Sequence, residues 1–370
     1  MVKYVKADRL TIKRDGEKIY DIVYSDSFEG INAEIRTLGK SYKRICIVTD
    51  TNVGPLYSDQ LMTVLTDDYE VSVYEIPSGE EHKNLDEIRK IYACLIENHF
   101  DRRDLLIALG GGVTGDMCGY TAATYLRGID FIQVPTTLLA QCDSSIGGKT
   151  GVDLDGYKNM VGAFYMPVLV YMNLKVLDSL DDRQYYSGFA EVMKHGLIKD
   201  DKFYSWLIDN MYEICDRDFE TLKIMIYNNC LIKGKVVEAD PNENGERAIL
   251  NFGHTIGHSI EKASGFRRLH GECVALGCVA AAYISWHHKL ISMEEYYEIR
   301  DMFVPFNLPI SVDDVDPEEI LKYTRSDKKM AGDKIRFILL SRIGNALIDE
   351  TVTDQDILDA VNAILWKDED

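Results

Sequence analysis

Positive charge is scarce in this chain: 41 lysines and arginines stand against 61 aspartates and glutamates, a formal net charge of −20 at pH 7. Binding to a polyanion needs clustered cations that release its counterions, so the balance excludes nucleic acid and an anionic membrane surface as principal partners. A small anionic ligand would need a local basic pocket that overcomes the global field. Long apolar runs are also missing. No stretch reaches about 18 uninterrupted apolar residues, and the opening "MVKYVKADRL" lacks an apolar signal core, so neither a membrane span nor an export signal is expected. The eight cysteines (46, 94, 118, 142, 215, 230, 273 and 278) include no CxxC pair, which excludes that metal or redox motif. Most of them sit in apolar runs such as "RICIVTD" and "ECVALGCVAAAY" and are expected to be buried thiols in a reducing compartment, the cytoplasm.

What is present describes a globular protein, 46% hydrophobic and 28% charged over 370 residues. That length exceeds one ordinary core and predicts two domains of roughly 150 to 200 residues. From residue 44 short β-rich runs ("RICIVTD", "YEVSVYEIP", "DLLIAL", "FIQVP", then "VLVYMNL") alternate with amphipathic segments over 55–66, 84–98 and 115–125. This alternation predicts a largely parallel sheet covered by helices. After about residue 179 helical periodicity dominates, over 185–198, 201–210, 217–238, 254–264, 271–290 and 294–303. The expected fold class is therefore α/β: a parallel-sheet α/β domain over 1–178, then a mainly α-helical domain over 179–370. Residues 335–341 read as a short β element and the last twenty as an acidic helix.

Four segments could carry chemistry. "LLIALGGGVTGD" places Gly110, Gly112 and Gly115 in a GxGxxG spacing between a strand and a helix, where backbone can approach a pyrophosphate at a helix N-terminus. A plain tight turn explains the same glycines equally well. "SSIGGKTG" (144–151) resembles the end of a P-loop, but Asp143 stands where its first glycine belongs, which leaves Lys149, Lys158 and Asn159 as possible anion contacts or as a solvated loop. "GFAEVMKHGLIKD" (188–200) puts Glu191, Lys194 and His195 on one helix face, and a carboxylate among apolar residues needs a cation or a metal. A helical salt bridge would satisfy it. Finally, "NFGHTIGHSIE" (251–261) sets His254 and His258 one turn apart, and "RRLHGECVALG" adds His270 and Glu272. Two histidines and a glutamate suit a zinc site with an open position. By spacing alone His254 with His258, or His254 with His270, are open pairings, and histidines satisfied within a core are the bland alternative.

Taken in order, these segments resemble the 3-dehydroquinate synthase family. The likeness runs from about residue 44 to 340, through "GGGVTGDMCGYTAATYLRGIDFIQVPTTLLAQCDSSIGGKTGVDLDGYKNMVGAFYMP", "GFAEVMKHGLI", "NFGHTIGHSIE", "LHGE" and "DKK" at 327–329. The resemblance implies that the first domain, 1–178, is Rossmann-like and binds NAD, and that the chain is a phosphate-eliminating cyclase of the shikimate pathway with one divalent metal, zinc with cobalt as a possible substitute, in the helical domain. It assigns the metal to Glu191, His254 and His270, leaving His258 to the substrate. NAD contacts map to Asp50, Asn52, Glu80, Lys83, Gly111, Gly112, Asp116, Thr136 and Thr137, with Lys149 and Lys158 beside them. Catalytic and substrate contacts map to Asp143, Lys149, Lys158, Asn159, Lys194, Lys233, Arg247, Asn251, His258 and Lys328. Arg127 corresponds to an arginine that reaches a neighbouring subunit's phosphate, which implies a homodimer.

The implied substrate is a seven-carbon keto-sugar acid phosphate, 3-deoxy-D-arabino-heptulosonate 7-phosphate, and the products are 3-dehydroquinate and phosphate. Transient oxidation of a ring hydroxyl acidifies the neighbouring C–H bond, phosphate is eliminated, the ketone is reduced again, and ring opening with an intramolecular aldol step closes the carbocycle. A cationic cluster for a carboxylate and a phosphate would reconcile this ligand with the acidic whole. One stretch, "SLDDRQYYSG" (179–188), departs from the family at Asp181 and Gln184, beside the expected cofactor. The competing readings are a sister cyclase of the deoxy-inosose or valiolone type, a metal-dependent polyol dehydrogenase, and a non-catalytic nucleotide- or phosphate-binding protein.

Overall fold

A computed structural model describes residue 4 and residues 6–243, 245–329 and 336–366, the side chains of 326–329 excepted. The chain forms two compact units, one comprising residues 4–180 and 222–242, the other 181–221 and 243–366. Among the described residues no helix is long and apolar enough to cross a membrane.

The first unit is built on a seven-stranded sheet. Its strands are β1 (Arg9–Arg14), β2 (Glu17–Ser25), β3 (Arg44–Asp50), β4 (Glu70–Ile76), β5 (Leu105–Gly110) and β6 (Asp130–Pro135), joined after the hairpin β7 (Lys149–Leu154) and β8 (Tyr157–Phe164) by β9 (Leu169–Asn173). The order is β1-β2-β9-β6-β5-β3-β4, parallel except for the edge strand β1. Every residue of β5 is buried, as expected of a strand covered on both faces. Helices α1 (Ile31–Thr37) and α2 (Gly54–Leu65) close one face over Ile45, Ile47, Leu105 and Ile107, while α3 (Leu85–Glu97) and α4 (Gly112–Thr124) close the other over Cys46, Val48, Leu106 and Ala108. The chain runs outward from β3 to β4 and then returns to β5 on β3's other side. That reversal makes the carboxyl ends of β3 and β5 a topological switch point, where doubly wound sheets bind ligands.

The second unit is helical: α5 (Asp182–Lys199), α6 (Asp201–Asp209), α7 (Met211–Cys215), then, beyond α8 (Phe219–Ala239), α9 (His254–Ala263), α10 (His270–His287), α11 (Met293–Asp301), α12 (Pro317–Lys329) and α13 (Asp354–Ile364), with the hairpin β10 (Phe337–Arg342) and β11 (Asn345–Asp349). Helix α10 is apolar all round and therefore central, flanked by α5, α9, α11, α13 and β10.

The structure differs from the sequence expectation in three places. Residues 9–25 form the antiparallel pair β1 and β2, which periodicity did not flag because one strand is mostly polar. The Gly-Gly-Lys-Thr loop opens directly into the β7/β8 hairpin. Most of α8 packs with the first unit rather than with the helical second one: Asn229 Nδ2 donates to the Cys142 carbonyl at 2.7 Å, and Lys223 pairs with Asp8.

Candidate functional site

In the first unit the glycine turn between β5 and α4 sits at the switch point. A Cβ on Gly115 would lie 2.7 Å from Gln133 Oε1, so glycine is what lets α4 approach the sheet there. Asp50 ends β3 and secures the turn: its Oδ1 accepts from Asn52 N at 3.0 Å and Val53 N at 3.1 Å, and its Oδ2 accepts from Thr114 Oγ1 at 3.0 Å. Thr136 N donates to the Gly110 carbonyl at 3.0 Å, and Thr137 Oγ1 accepts from Ala140 N at 3.1 Å, holding the turn that leads to Asp143.

Beside this turn the expected NAD contacts form one network. Lys83, 4% exposed, donates from Nζ to Asp116 Oδ2 and to Asn159 Oδ1, both at 2.6 Å, and Lys158 Nζ lies 3.5 Å from Glu80 Oε1. Burial works against the Lys83 charge, but Asp116 and Glu80 outweigh it and leave its pKa raised. Burial likewise pushes the Asp116 carboxyl up, opposed by Lys83. Asn159 sits at φ 52° with its N–H donated to Asp153 Oδ1 at 2.7 Å, a geometry that aims its amide at Lys83. Further along the same unit, Lys233 of α8 donates to the Asp143 carbonyl at 2.6 Å and pairs with Asp143 Oδ1 at 2.6 Å. Lys149 opens β7 and is exposed, as is Arg127, which stands at a left-handed corner with φ 68°.

In the second unit three helices converge on Glu191. Its carboxylate is fully buried on α5 and contacts Lys194 Nζ. Glu191 Oε1 lies 3.3 Å from His254 Nε2 and 3.3 Å from His270 Nε2. The two histidines occupy the first positions of α9 and α10, and close helix packing brings them there. Gly253 precedes α9 at φ 77°, and a Cβ on Gly277 would fall 1.8 Å from the Gly253 carbonyl oxygen; a Cβ on Gly271 would fall 1.8 Å from the Ser187 carbonyl oxygen. Only glycines allow α10 to lie this close to α9 and α5.

His254 Nδ1 is 3.0 Å from the Phe252 carbonyl, which can only accept, so Nδ1 carries the proton and Nε2 presents its lone pair toward Glu191. A lone pair facing a carboxylate is stable only with a proton or a cation between them. Burial, then Lys194, holds His254 below the usual histidine range; burial also disfavours a charged His270, yet Glu191 and Glu261 push it up to about 9. Against its own burial, the adjacent Lys194 ammonium keeps Glu191 well below the usual carboxylate range and therefore ionised. One ligand atom from each of Glu191, His254 and His270 lies within 4.8 Å of the others, and the donor set suits a divalent metal. His258, exposed and one turn along, has its ring centroid 5.2 Å from that of His254 and 5.8 Å from that of His270, and groups with Glu261 and His270 instead.

The remaining expected residues of this unit lie near these helices in sequence. Lys194 is 2% exposed, Arg247 is 1% exposed on the turn that leads into α9, and Asn251 Nδ2 donates to Glu243 Oε1 at 2.9 Å. The side chain of Lys328 lies outside the described residues. Glu272, a candidate by proximity to His270, serves another purpose: it accepts from Leu269 N at 2.8 Å and holds Arg183 Nε at 2.6 Å, securing the start of α10. Its place three residues after Leu269 was the available signal. The atypical Asp181 caps α5, accepting from Gln184 N at 3.0 Å.

The 3-dehydroquinate synthase N-terminal family model matches residues 73–187, and the 3-dehydroquinate synthase C-terminal model matches residues 188–330. A 3-dehydroquinate synthase of Acetivibrio thermocellus is 42% identical over 350 residues, 94% of this chain and 97% of that protein. Among solved structures, a 2-deoxy-scyllo-inosose synthase with carbaglucose-6-phosphate, NAD+ and Co2+ superposes with TM-score 0.89 at 25% identity, covering 96% of this chain and all of that one. A 2-epi-5-epi-valiolone synthase of Streptomyces hygroscopicus with NAD+ and Zn2+ reaches TM-score 0.87 at 25% identity, covering 96% and 99%. The sister cyclases share the architecture, whereas the sequence match over nearly the whole length singles out one branch: the chain belongs to the 3-dehydroquinate synthase family.

Proposed function

We propose that the protein is a 3-dehydroquinate synthase that converts 3-deoxy-D-arabino-heptulosonate 7-phosphate to 3-dehydroquinate and phosphate, as a lyase of the shikimate pathway. The observation that carries this reading is the convergence of Glu191, His254 and His270 on one point, with His254 Nε2 presented as a lone pair. These three would hold the metal, while the turn at Gly111 and Gly112, with Asp50, Asn52, Glu80, Lys83, Asp116, Thr136 and Thr137, would hold the dinucleotide. When bound, NAD supplies a reversible hydride acceptor and a divalent metal, zinc or cobalt, lowers the pKa of a substrate hydroxyl.

The chain's own residues then have separable tasks. The Phe252 carbonyl retains the His254 Nδ1 proton, so that ring keeps one tautomer. Each unit would supply its own cations for anionic groups in an acidic protein: Lys194 and Arg247 in one, Lys149, Lys158 and Lys233 in the other. Asp143 keeps the Lys233 ammonium oriented through paired contacts to its carboxylate and carbonyl. Asn159, Asn251 and His258 add further hydrogen-bonding groups, and Lys328 a further cation by family likeness. Arg127, exposed at its left-handed corner, would extend to the phosphate bound by a second copy in a homodimer, and eight free cysteines suit the cytoplasm.

The test is to supply the heptulosonate phosphate with catalytic NAD and zinc, following phosphate release and NADH absorbance together. Phosphate release without accumulating NADH is expected. No phosphate, or NADH formed in proportion to substrate, contradicts the proposal; turnover of glucose 6-phosphate instead would indicate the deoxy-inosose activity.

A further inference from the structure

Glu261 is a second buried carboxylate beside the candidate metal site. It lies near the end of α9, seven residues after His254 and three after His258, so the three side chains share one face of the helix. The residue is 3% exposed, and its main chain is fixed where α9 ends: the Glu261 carbonyl accepts from Ser264 Oγ at 2.9 Å and from Phe266 N at 3.0 Å. Close packing sets this stretch against the start of α10. A Cβ on Gly257, between His254 and Glu261 in sequence, would fall 2.8 Å from the Cys273 carbonyl oxygen, so glycine is what lets the two helices approach there. Glu261 Oε2 then stands 3.8 Å from His270 Nδ1, while the other ring nitrogen, Nε2, lies 3.3 Å from Glu191 Oε1. The imidazole has a buried carboxylate at each nitrogen. A buried carboxylate is costly unless a donor or a cation meets it, and an Nδ1–H is such a donor.

Resting on the assignment of Glu191, His254 and His270 to the metal, we infer that Glu261 is a positioning residue, which accepts the Nδ1 proton of His270 and so fixes the tautomer and ring orientation that aim Nε2 at the metal. A neutral imidazole carries one proton and one lone pair, so a proton kept on Nδ1 leaves the lone pair on Nε2. At 3.8 Å the contact is an ion pair, and a small rotation of the ring about its soft terminal torsion shortens it to a hydrogen bond. The two histidines then differ in what orients them. His254 Nδ1 faces a backbone carbonyl, that of Phe252, at 3.0 Å, whereas His270 Nδ1 faces a carboxylate, which also makes its ring the more basic ligand.

The experiment measures zinc affinity and stoichiometry of the full chain at neutral pH by competition with a chromophoric chelator, with circular dichroism as the check on folding. Glu261→Ala should bind zinc about 10–100-fold more weakly than wild type, the usual cost of removing a partner behind a metal-bound histidine. Glu261→Gln, isosteric and still offering Nδ1 a carbonyl oxygen, should lose less than Glu261→Ala but remain weaker than wild type, and it carries the test if the alanine variant is unfolded. In a His270→Ala background neither change should weaken zinc further, because the ring through which Glu261 acts is gone; a merely structural carboxylate would weaken zinc on both backgrounds. Wild-type affinity in the Glu261 variants overturns the inference, as does a loss that adds in full to that of His270→Ala. One ligand atom from each of His258, Glu261 and His270 also lies within 4.8 Å of the others, so two zinc ions per wild-type chain, one of them lost in Glu261→Ala, would make Glu261 a ligand and overturn it too. A wild type that binds no zinc, or a His270→Ala that binds as tightly as wild type, overturns the metal assignment itself and this inference with it.

Discussion

The two charged clusters, one in each compact unit, solve opposite electrostatic problems. In the first unit the charges compensate one another: Lys83 meets Asp116 and Asn159 at 2.6 Å each, and Glu80 faces both Lys83 and Lys158. In the second, Lys194 pairs with one side of the Glu191 carboxylate, while its Oε1 faces both His254 Nε2 and His270 Nε2 at 3.3 Å. A network of matched charges orients groups for a ligand and contributes stability by itself; a carboxylate oxygen shared by two histidine nitrogens gains most when a divalent cation joins them. The contrast predicts that substitutions in the first network disturb folding first, and substitutions in the second disturb metal binding and activity first.

The largest effect is expected from Glu191→Ala. It removes the shared carboxylate, and phosphate release should fall on the order of a thousandfold or more, the scale of losing a metal's several kcal/mol of transition-state stabilisation. Circular dichroism should show the fold retained; an unfolded variant would break the contrast. Lys83→Ala should act the other way round. It leaves Asp116 with 18% side-chain exposure and no cation at its carboxylate, a cost of about 3 kcal/mol in urea unfolding, with zinc content unchanged. Adding Asp116→Asn should recover part of that loss. Gly271→Ala should cost about 1–3 kcal/mol, because its methyl would meet the Ser187 carbonyl and push α10 from α5, and zinc binding should weaken with it. The smallest change is Asp181→Ala, which removes the α5 cap and should cost about 1 kcal/mol without altering metal content. A change in NAD affinity for that variant would mean the departure from the family reaches the cofactor.

How legible each unit was in the sequence follows from its construction. The parallel sheet was readable because β3, β5, β6 and β9 are short, mostly apolar and almost wholly buried runs, as strands covered on both faces must be. The hairpin β7/β8 was not, since its second strand has no buried residue and opens with the polar run Tyr157, Lys158 and Asn159. The attachment of α8 to the first unit depends on contacts such as Asn229 with Cys142, separated by 87 residues, which no local pattern encodes. In the metal site the spacing of His254 and His258 was conspicuous and incomplete. Helical periodicity places them on one face, yet the partners that converge with His254 are Glu191 and His270, from α5 and α10, brought in by glycines at the helix crossings. Family likeness named that trio where spacing left two pairings open.

The most direct measurement compares zinc bound by His270→Ala and His258→Ala, each purified and dialysed against the same zinc buffer. Loss of a ligand should weaken zinc by at least about 100-fold in His270→Ala, while His258→Ala should retain nearly full occupancy. Equal zinc loss in the two variants would contradict the account and return the metal to the pair one turn apart on α9.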